Sequence, residues 1–149
     1  MTITTRKRSI HIDAPVEKVF AHVEEPAHYY EAMAATSPKD PPRLTDVDMK
    51  PGGVGSTYRW IGHLWWLLYV GGTTTREEYV PNERIVDHSS TGPVFTFTVE
   101  PDASGTTLSL AVGLSTKVPL LDKLEDAVFW NGDQDLDAML NTLKKAIET

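Results

Sequence analysis

Apolar residues recur along this chain at two spacings, and the change between them divides it into elements. In "TRKRSIHIDAP", Ile10 and Ile12 alternate with Ser9 and His11, which predicts a half-buried strand. The strand stops at Asp13-Ala14-Pro15. Proline suits the first turn of a helix, where its missing N–H would have no partner. Glu17 then puts negative charge near the positive helix end, and Val16, Val19, Phe20 and Val23 form a helical stripe. Pro26 opens a second short helix, "PAHYYEAMA", and "SPKDPP" is a loop rich in breakers.

From Arg43 the period changes to two. "RLTDVDMK" reads as a strand, "PGGVG" as a turn, and "STYRWIGHLWW" as the next strand. After a reversal near Trp66 to Leu68 comes "YVGGTTTREEYV"; Pro81-Asn82 turns the chain into "ERIVDHS", and Gly92-Pro93 turns it again. "VFTFTVE" sets Phe95, Phe97 and Val99 against Thr96, Thr98 and Glu100. Past the tight reversal "DASG", "TLSLAVGLS" places Leu108, Leu110, Val112 and Leu114 on one face. Strands joined by short turns predict an antiparallel meander with one buried face. His11 and His88 alternate with apolar residues and are expected on the outer face.

From Pro119 onward the pattern is helical. Leu121, Leu124, Val128, Leu136, Met139, Leu143 and Ile147 make one amphipathic stripe facing the sheet. Gly132 interrupts it at a cost of about 1 kcal/mol relative to alanine, so a kink or close backbone contact is expected there. Phe129 and Trp130 are consecutive and cannot share one direction, which leaves Trp130 to line or to fill the interior. The order is strand, two short helices, six strands, one long helix, in a single domain over residues 1–149. The class is α+β. A seven-stranded antiparallel sheet of this size curls, and one helix is available to cover its apolar face. The two short helices shut one end, leaving an internal space that is either filled by side chains or kept for a ligand.

The run Leu64–Val70 in "GHLWWLLYVGG" is seven residues long, far short of the roughly 20 that span a bilayer. No apolar leader follows the basic start. With 149 residues the chain buries about 70% of its unfolded surface. The absence of cysteine removes thiol catalysis, disulfides and cysteine-based zinc sites, and fits a cytoplasmic setting. A net charge of −7 and a pI near 5.1 argue against nucleic acid as partner. The basic run Arg6-Lys7-Arg8 reads as a solvated segment entering the first strand.

"IHIDAPVEKVFAHVEEPAHYYEAM", "GGVGSTYRW" and "EEYVPNERIV" together resemble the START-related, polyketide cyclase/dehydrase-like (SRPBCC) superfamily, which has the helix-grip fold. The likeness covers nearly the whole chain, and its motifs are fold signatures. It implies a curved seven-stranded sheet wrapped around a long C-terminal helix, with a deep cavity between them for lipids, polyketides, sterols or other hydrophobic molecules. A minority of members catalyse cyclisation or aromatisation there; others are carriers, sensors or activators of partner proteins. Fold membership does not choose among these.

Few residues suggest catalysis. Gly53-x-Gly55 lacks a third glycine and a following helix, so it is no phosphate cradle. His22, Glu24, Glu25 and His28 offer metal-ligand types, but the two histidines are six apart and match no helical face, although a kink at Pro26 would allow the group to converge; no metal and no cofactor are expected. No serine stands in a nucleophile-elbow context.

Along "TYRWIGHLWW", Tyr58, Trp60, Gly62, Leu64 and Trp66 share one face and Arg59, Ile61, His63 and Trp65 the other. The first set is expected to face the interior, leaving Trp65 exposed. A register reversed by a bulge would instead bring Arg59 and His63 inward, where with Tyr58 they would polarise a carbonyl and move protons. Tyr29 and Tyr30 are expected near the cavity mouth, their polar tips orienting a ligand. The expected ligand wall adds Phe95, Phe97, Leu110, Val112, Val128 and Trp130 to these tyrosines and to Tyr58, Trp60, Leu64 and Trp66. Three readings follow: a binding protein for a small hydrophobic or amphipathic ligand, a cyclase/dehydrase-type enzyme without redox cofactor, and a dimerising or partner-binding module using the Leu64–Val70 hairpin.

Overall fold

Each stretch with a two-residue period is a strand in the computed structural model, which describes residues 5–34, 43–65, 68–90, 92–114 and 133–149. Along the described residues run β1 (Thr5–Ile12), α1 (Val16–Val23), α2 (Pro26–Ala34), β2 (Arg43–Asp48), β3 (Thr57–Trp65), β4 (Leu68–Val80), β5 (Arg84–Ser89), β6 (Pro93–Pro101), β7 (Thr106–Leu114) and α3 (Asp133–Glu148). The strands form one antiparallel sheet in the order β1-β7-β6-β5-β4-β3-β2. The six-strand meander is therefore continuous, and β1 adds beside β7. The sheet is open, with β1 and β2 at its edges. This is the expected α+β helix-grip arrangement.

The basic run forms the start of β1 and is exposed: the strand begins at Thr5 and pairs Arg6, Lys7 and Arg8 with Val112, Ala111 and Leu110. Pro15 sits one position earlier than expected. It is the N-cap of α1, extended at φ −68° and ψ 156°, and its carbonyl accepts the first helical N–H groups from Lys18 and Val19. Val19, Phe20 and Val23 are buried as the stripe requires.

The turn before β3 needs glycine for a packing reason. Gly53 has φ +83°, and a Cβ there would come within 2.4 Å of the Tyr79 ring. A side chain would be both strained and in collision.

Inner-face residues of the strands, the α1 and α2 stripes and Leu136, Met139, Leu140, Leu143 and Ile147 of α3 merge into one core. α3 packs on β1, β7, α1 and α2. Its outer turns are tied down by Arg8 Nε, 2.9 Å from Asp137 Oδ1, and by Lys144 Nζ, which donates to the His11 carbonyl at 2.7 Å. The expected earlier part of this helix, with Leu121, Leu124, Val128, Phe129, Trp130 and Gly132, lies outside the described residues, as does Trp66; so do the side chains of residues 63–65 and 68–70.

Candidate functional site

Neighbouring inner positions on β4 and β5 carry opposite charges. Arg76 stands opposite Asp87, with both side chains 0% exposed. The guanidinium grips the carboxylate through two bonds, Nε to Oδ1 at 2.9 Å and Nη2 to Oδ2 at 3.1 Å. Two tyrosine hydroxyls complete the acceptor's shell: Tyr58 donates to Oδ2 at 2.5 Å and Tyr29 at 3.1 Å. Such satisfaction is what makes a buried ion pair tolerable, because isolated burial of either charge is prohibitive.

The remaining arm of Arg76 reaches out of the sheet. Nη1 donates to the Glu24 carbonyl at 3.1 Å. Glu24 is the C-cap of α1, where the helix dipole favours a cation. Tyr79 adds a second link, its hydroxyl donating to Glu24 Oε2 at 2.5 Å. One guanidinium thus joins β4, β5 and the α1–α2 joint.

The electrostatics follow from burial and from these contacts. Burial, then the adjacent Asp87 charge, pushes the Tyr58 hydroxyl well above its ordinary range. It stays protonated and donates. Burial opposes the Arg76 charge, but the bonds to Asp87 outweigh it and the net shift is upward. Tyr79 is pushed up to about 12, by burial first and then by Glu24.

Beside this cluster lies a row of hydroxyls. Trp60 Nε1 donates to Ser89 Oγ at 3.3 Å. Thr74 pairs with both Ser89 and Tyr58 across the ladder. Its Oγ1 is buried and makes no hydrogen bond of good geometry among the described residues. Tyr30 on α2 feels it: burial drives the Tyr30 hydroxyl strongly upward, and Thr74 acts against that rise. Tyr29 and Tyr30 both pack against Tyr58, at ring separations of 6.0 and 5.9 Å.

Two other groupings have weaker claims. His22 and His28 stack at 3.9 Å across the α1–α2 joint, and His28 Nδ1 donates to the His22 carbonyl at 2.7 Å. The break at Pro26 brings together rings that a continuous helix would separate. Burial, then His28, lowers the His22 pKa. Among the described residues no group of three His, Cys, Asp or Glu is arranged to hold a metal.

At the far surface, His11 Nδ1 lies 2.6 Å from Asp102, and Nε2 lies 2.7 Å from Asp13 and 3.4 Å from Ser104 Oγ. The outline is that of a serine triad, but carboxylates face both ring nitrogens. Their hydrogen bonds, Asp102 first and then Asp13, raise the His11 pKa, while His11 holds Asp102 down at about 2. With a carboxylate bonded to each ring nitrogen, neither keeps a free lone pair to take the Ser104 proton. The cluster is a surface clamp.

Of the residues expected to line the interior, Tyr29, Tyr30, Tyr58, Trp60, Phe95, Phe97, Leu110 and Val112 are buried together in the core. Arg59 is exposed, on the face opposite Tyr58. The bulge in β3 falls between His63 and Trp65, too late to turn Arg59 inward. Arg76 and Asp87 were not among the expected site residues.

Within the inner face, exposure changes along each strand. Tyr58, Phe97 and Leu110 are 1%, 1% and 0% exposed, whereas Trp60, Phe95 and Val112, two positions further toward one end of the sheet, keep 7%, 7% and 8%. Three strands agree in direction.

The family model described as "Polyketide cyclase / dehydrase and lipid transport" matches residues 4–148. No curated protein matches the sequence. Several solved structures share the fold. Protein CV1439 from Chromobacterium violaceum superposes with a TM-score of 0.64 at 18% identity, covering 99% of both chains. DR_A0006 from Deinococcus radiodurans gives 0.67 at 17% identity, over 97% of this chain and 98% of its own. Ara h 8.0201 gives 0.63 at 14% identity, over 97% of each. At these identities the likeness is one of fold.

Proposed function

Because the chain belongs to the polyketide cyclase / dehydrase and lipid transport family, we propose that it binds a small hydrophobic or amphipathic molecule, lipid-like or polyketide-like, between its sheet and C-terminal helix. The observation that carries this reading is the graded exposure of the inner face. The core is sealed at Tyr58, Phe97 and Leu110 and loosens at Trp60, Phe95 and Val112. Ligand sites are mostly apolar with a few polar groups that fix orientation. Aromatic rings beside the hydroxyls of Thr74, Ser89 and Tyr30 meet that description.

The polar cluster favours binding over catalysis. A general base needs a free lone pair near the substrate, and Asp87 already accepts from Arg76, Tyr58 and Tyr29. Arg59 faces away from Tyr58, so a cyclase using both lacks a common site. Association through the Leu64–Val70 hairpin is compatible with ligand binding and is decided by mass in solution.

The test is native mass spectrometry of protein purified from its own host, followed by titration with a neutral hydrophobic fluorophore. A retained hydrophobic adduct, and weaker dye binding by Trp60→Ala, are expected. Repeatedly clean spectra with no affinity for the dye, fatty acids or polyketides would remove the reading.

A further inference from the structure

We infer that the ligand is anchored at Thr74 by a neutral oxygen, a hydroxyl or ketone, and not by a carboxylate or phosphate. The inference rests on the binding reading above and names the chemistry of the anchored end.

Thr74 is 1% exposed and sits on the inner face between Tyr58 and Ser89. A buried hydroxyl without a good partner destabilises the fold that contains it. Its ladder neighbours are committed elsewhere, the Tyr58 hydroxyl donating to Asp87 and Ser89 Oγ accepting from Trp60, and the Tyr30 hydroxyl on which it acts makes no hydrogen bond of good geometry with it. Thr74 therefore has an O–H to give and lone pairs to offer. A hydroxyl or ketone oxygen entering beside Trp60, from the loosened end of the sheet, would find that donor at the inner end of an aromatic wall. Tyr30, which packs against Tyr58, offers a second hydroxyl from the helical side.

Charge decides against an anion. Among the described residues the cation on this part of the inner face is Arg76, two positions along β4, and Asp87 neutralises it bidentately. Arg6 and Arg8 stand on β1, separated from β4 by β7, β6 and β5, and Arg8 is paired with Asp137. A carboxylate or phosphate at Thr74 would be buried without a counter-charge among the described residues and two positions along the ladder from Asp87, which costs far more than one hydrogen bond returns.

The experiment uses the full chain and three probes of equal length: decane, 1-decanol and decanoate, the last well above its carboxylate pKa. Decanol is expected to bind at least roughly tenfold more tightly than decanoate. Thr74→Val keeps the shape and removes the hydroxyl. It should lower decanol affinity roughly five- to tenfold, leave decane unchanged and raise the melting temperature of the free protein. Thr74→Ser should keep the preference for decanol. Decanoate binding as tightly as decanol, or an unchanged decanol-to-decane ratio in Thr74→Val, overturns the inference and leaves the binding reading standing. If none of the three probes binds, the binding reading falls and this inference falls with it.

Discussion

Arg76 and Asp87 oppose each other on adjacent strands with neither side chain exposed, and two tyrosines donate to the same carboxylate. The geometry leaves neither charge without partners. It also makes each partner depend on the other.

Single and paired substitutions should therefore differ sharply. Arg76→Met strands a buried carboxylate and should cost about 3–5 kcal/mol in urea denaturation. The double variant Arg76→Met/Asp87→Leu removes both charges and should recover much of that loss. If the double variant is as unstable as the sum of the singles, the coupling is wrong.

The two tyrosines are unequal donors. Tyr58 lies 2.5 Å from the carboxylate and Tyr29 3.1 Å. Tyr58→Phe should cost about 1.5–3 kcal/mol, in the range of bonds to charged groups, and Tyr29→Phe less. Equal losses in matched denaturation curves would contradict the distances.

Gly53→Ala should be costly although the position lies in a turn. The new methyl meets the Tyr79 ring, and the backbone is left-handed. A loss of roughly 1–3 kcal/mol is expected. Combining it with Tyr79→Ala relieves the collision but not the strain, so the double variant should lose less than the two single losses added together, as its melting curve will show.

The His11 clamp predicts a window of pH. Its folded pKa is raised above 6.5, so its stabilisation is complete below that value and fades as pH rises through the raised one. Asp102 is depressed from 3.8 to about 2, so its share is complete above 3.8 and fades as pH falls toward 2. His11→Gln should lower the melting temperature most between 3.8 and 6.5 and converge with the parent in alkali. A constant difference across that range would refute the pairing.

The strand order and most inner faces were legible because alternation reports which residues are buried. Phe95, Phe97, Leu108, Leu110 and Val112 could be read directly in this way. The ion pair was not legible, and the reason is local. Counting back from the Pro81-Asn82 turn, Val80, Tyr79 and Glu78 pair with Arg84, Ile85 and Val86. An unbroken register would next set Glu77 against Asp87, two like charges. The bulge between Arg76 and Glu78 skips Glu77 and delivers Arg76 instead. Alternation carries no record of such an inserted residue. Arg59 stays on the outer face because the β3 bulge comes only after it. The meeting of His22 and His28 was legible as far as a kink at Pro26 would allow it, but their stacking was not, because it depends on the angle at which α2 leaves Pro26.

Position 24 holds two attachments of different kinds. Arg76 binds its main-chain oxygen, and Tyr79 binds its side chain. The first is blind to which amino acid stands there; the second is not. Residue 24 can therefore change, and with it the hold on Tyr79 beside the Gly53 turn, while the helical joint stays fastened to the sheet.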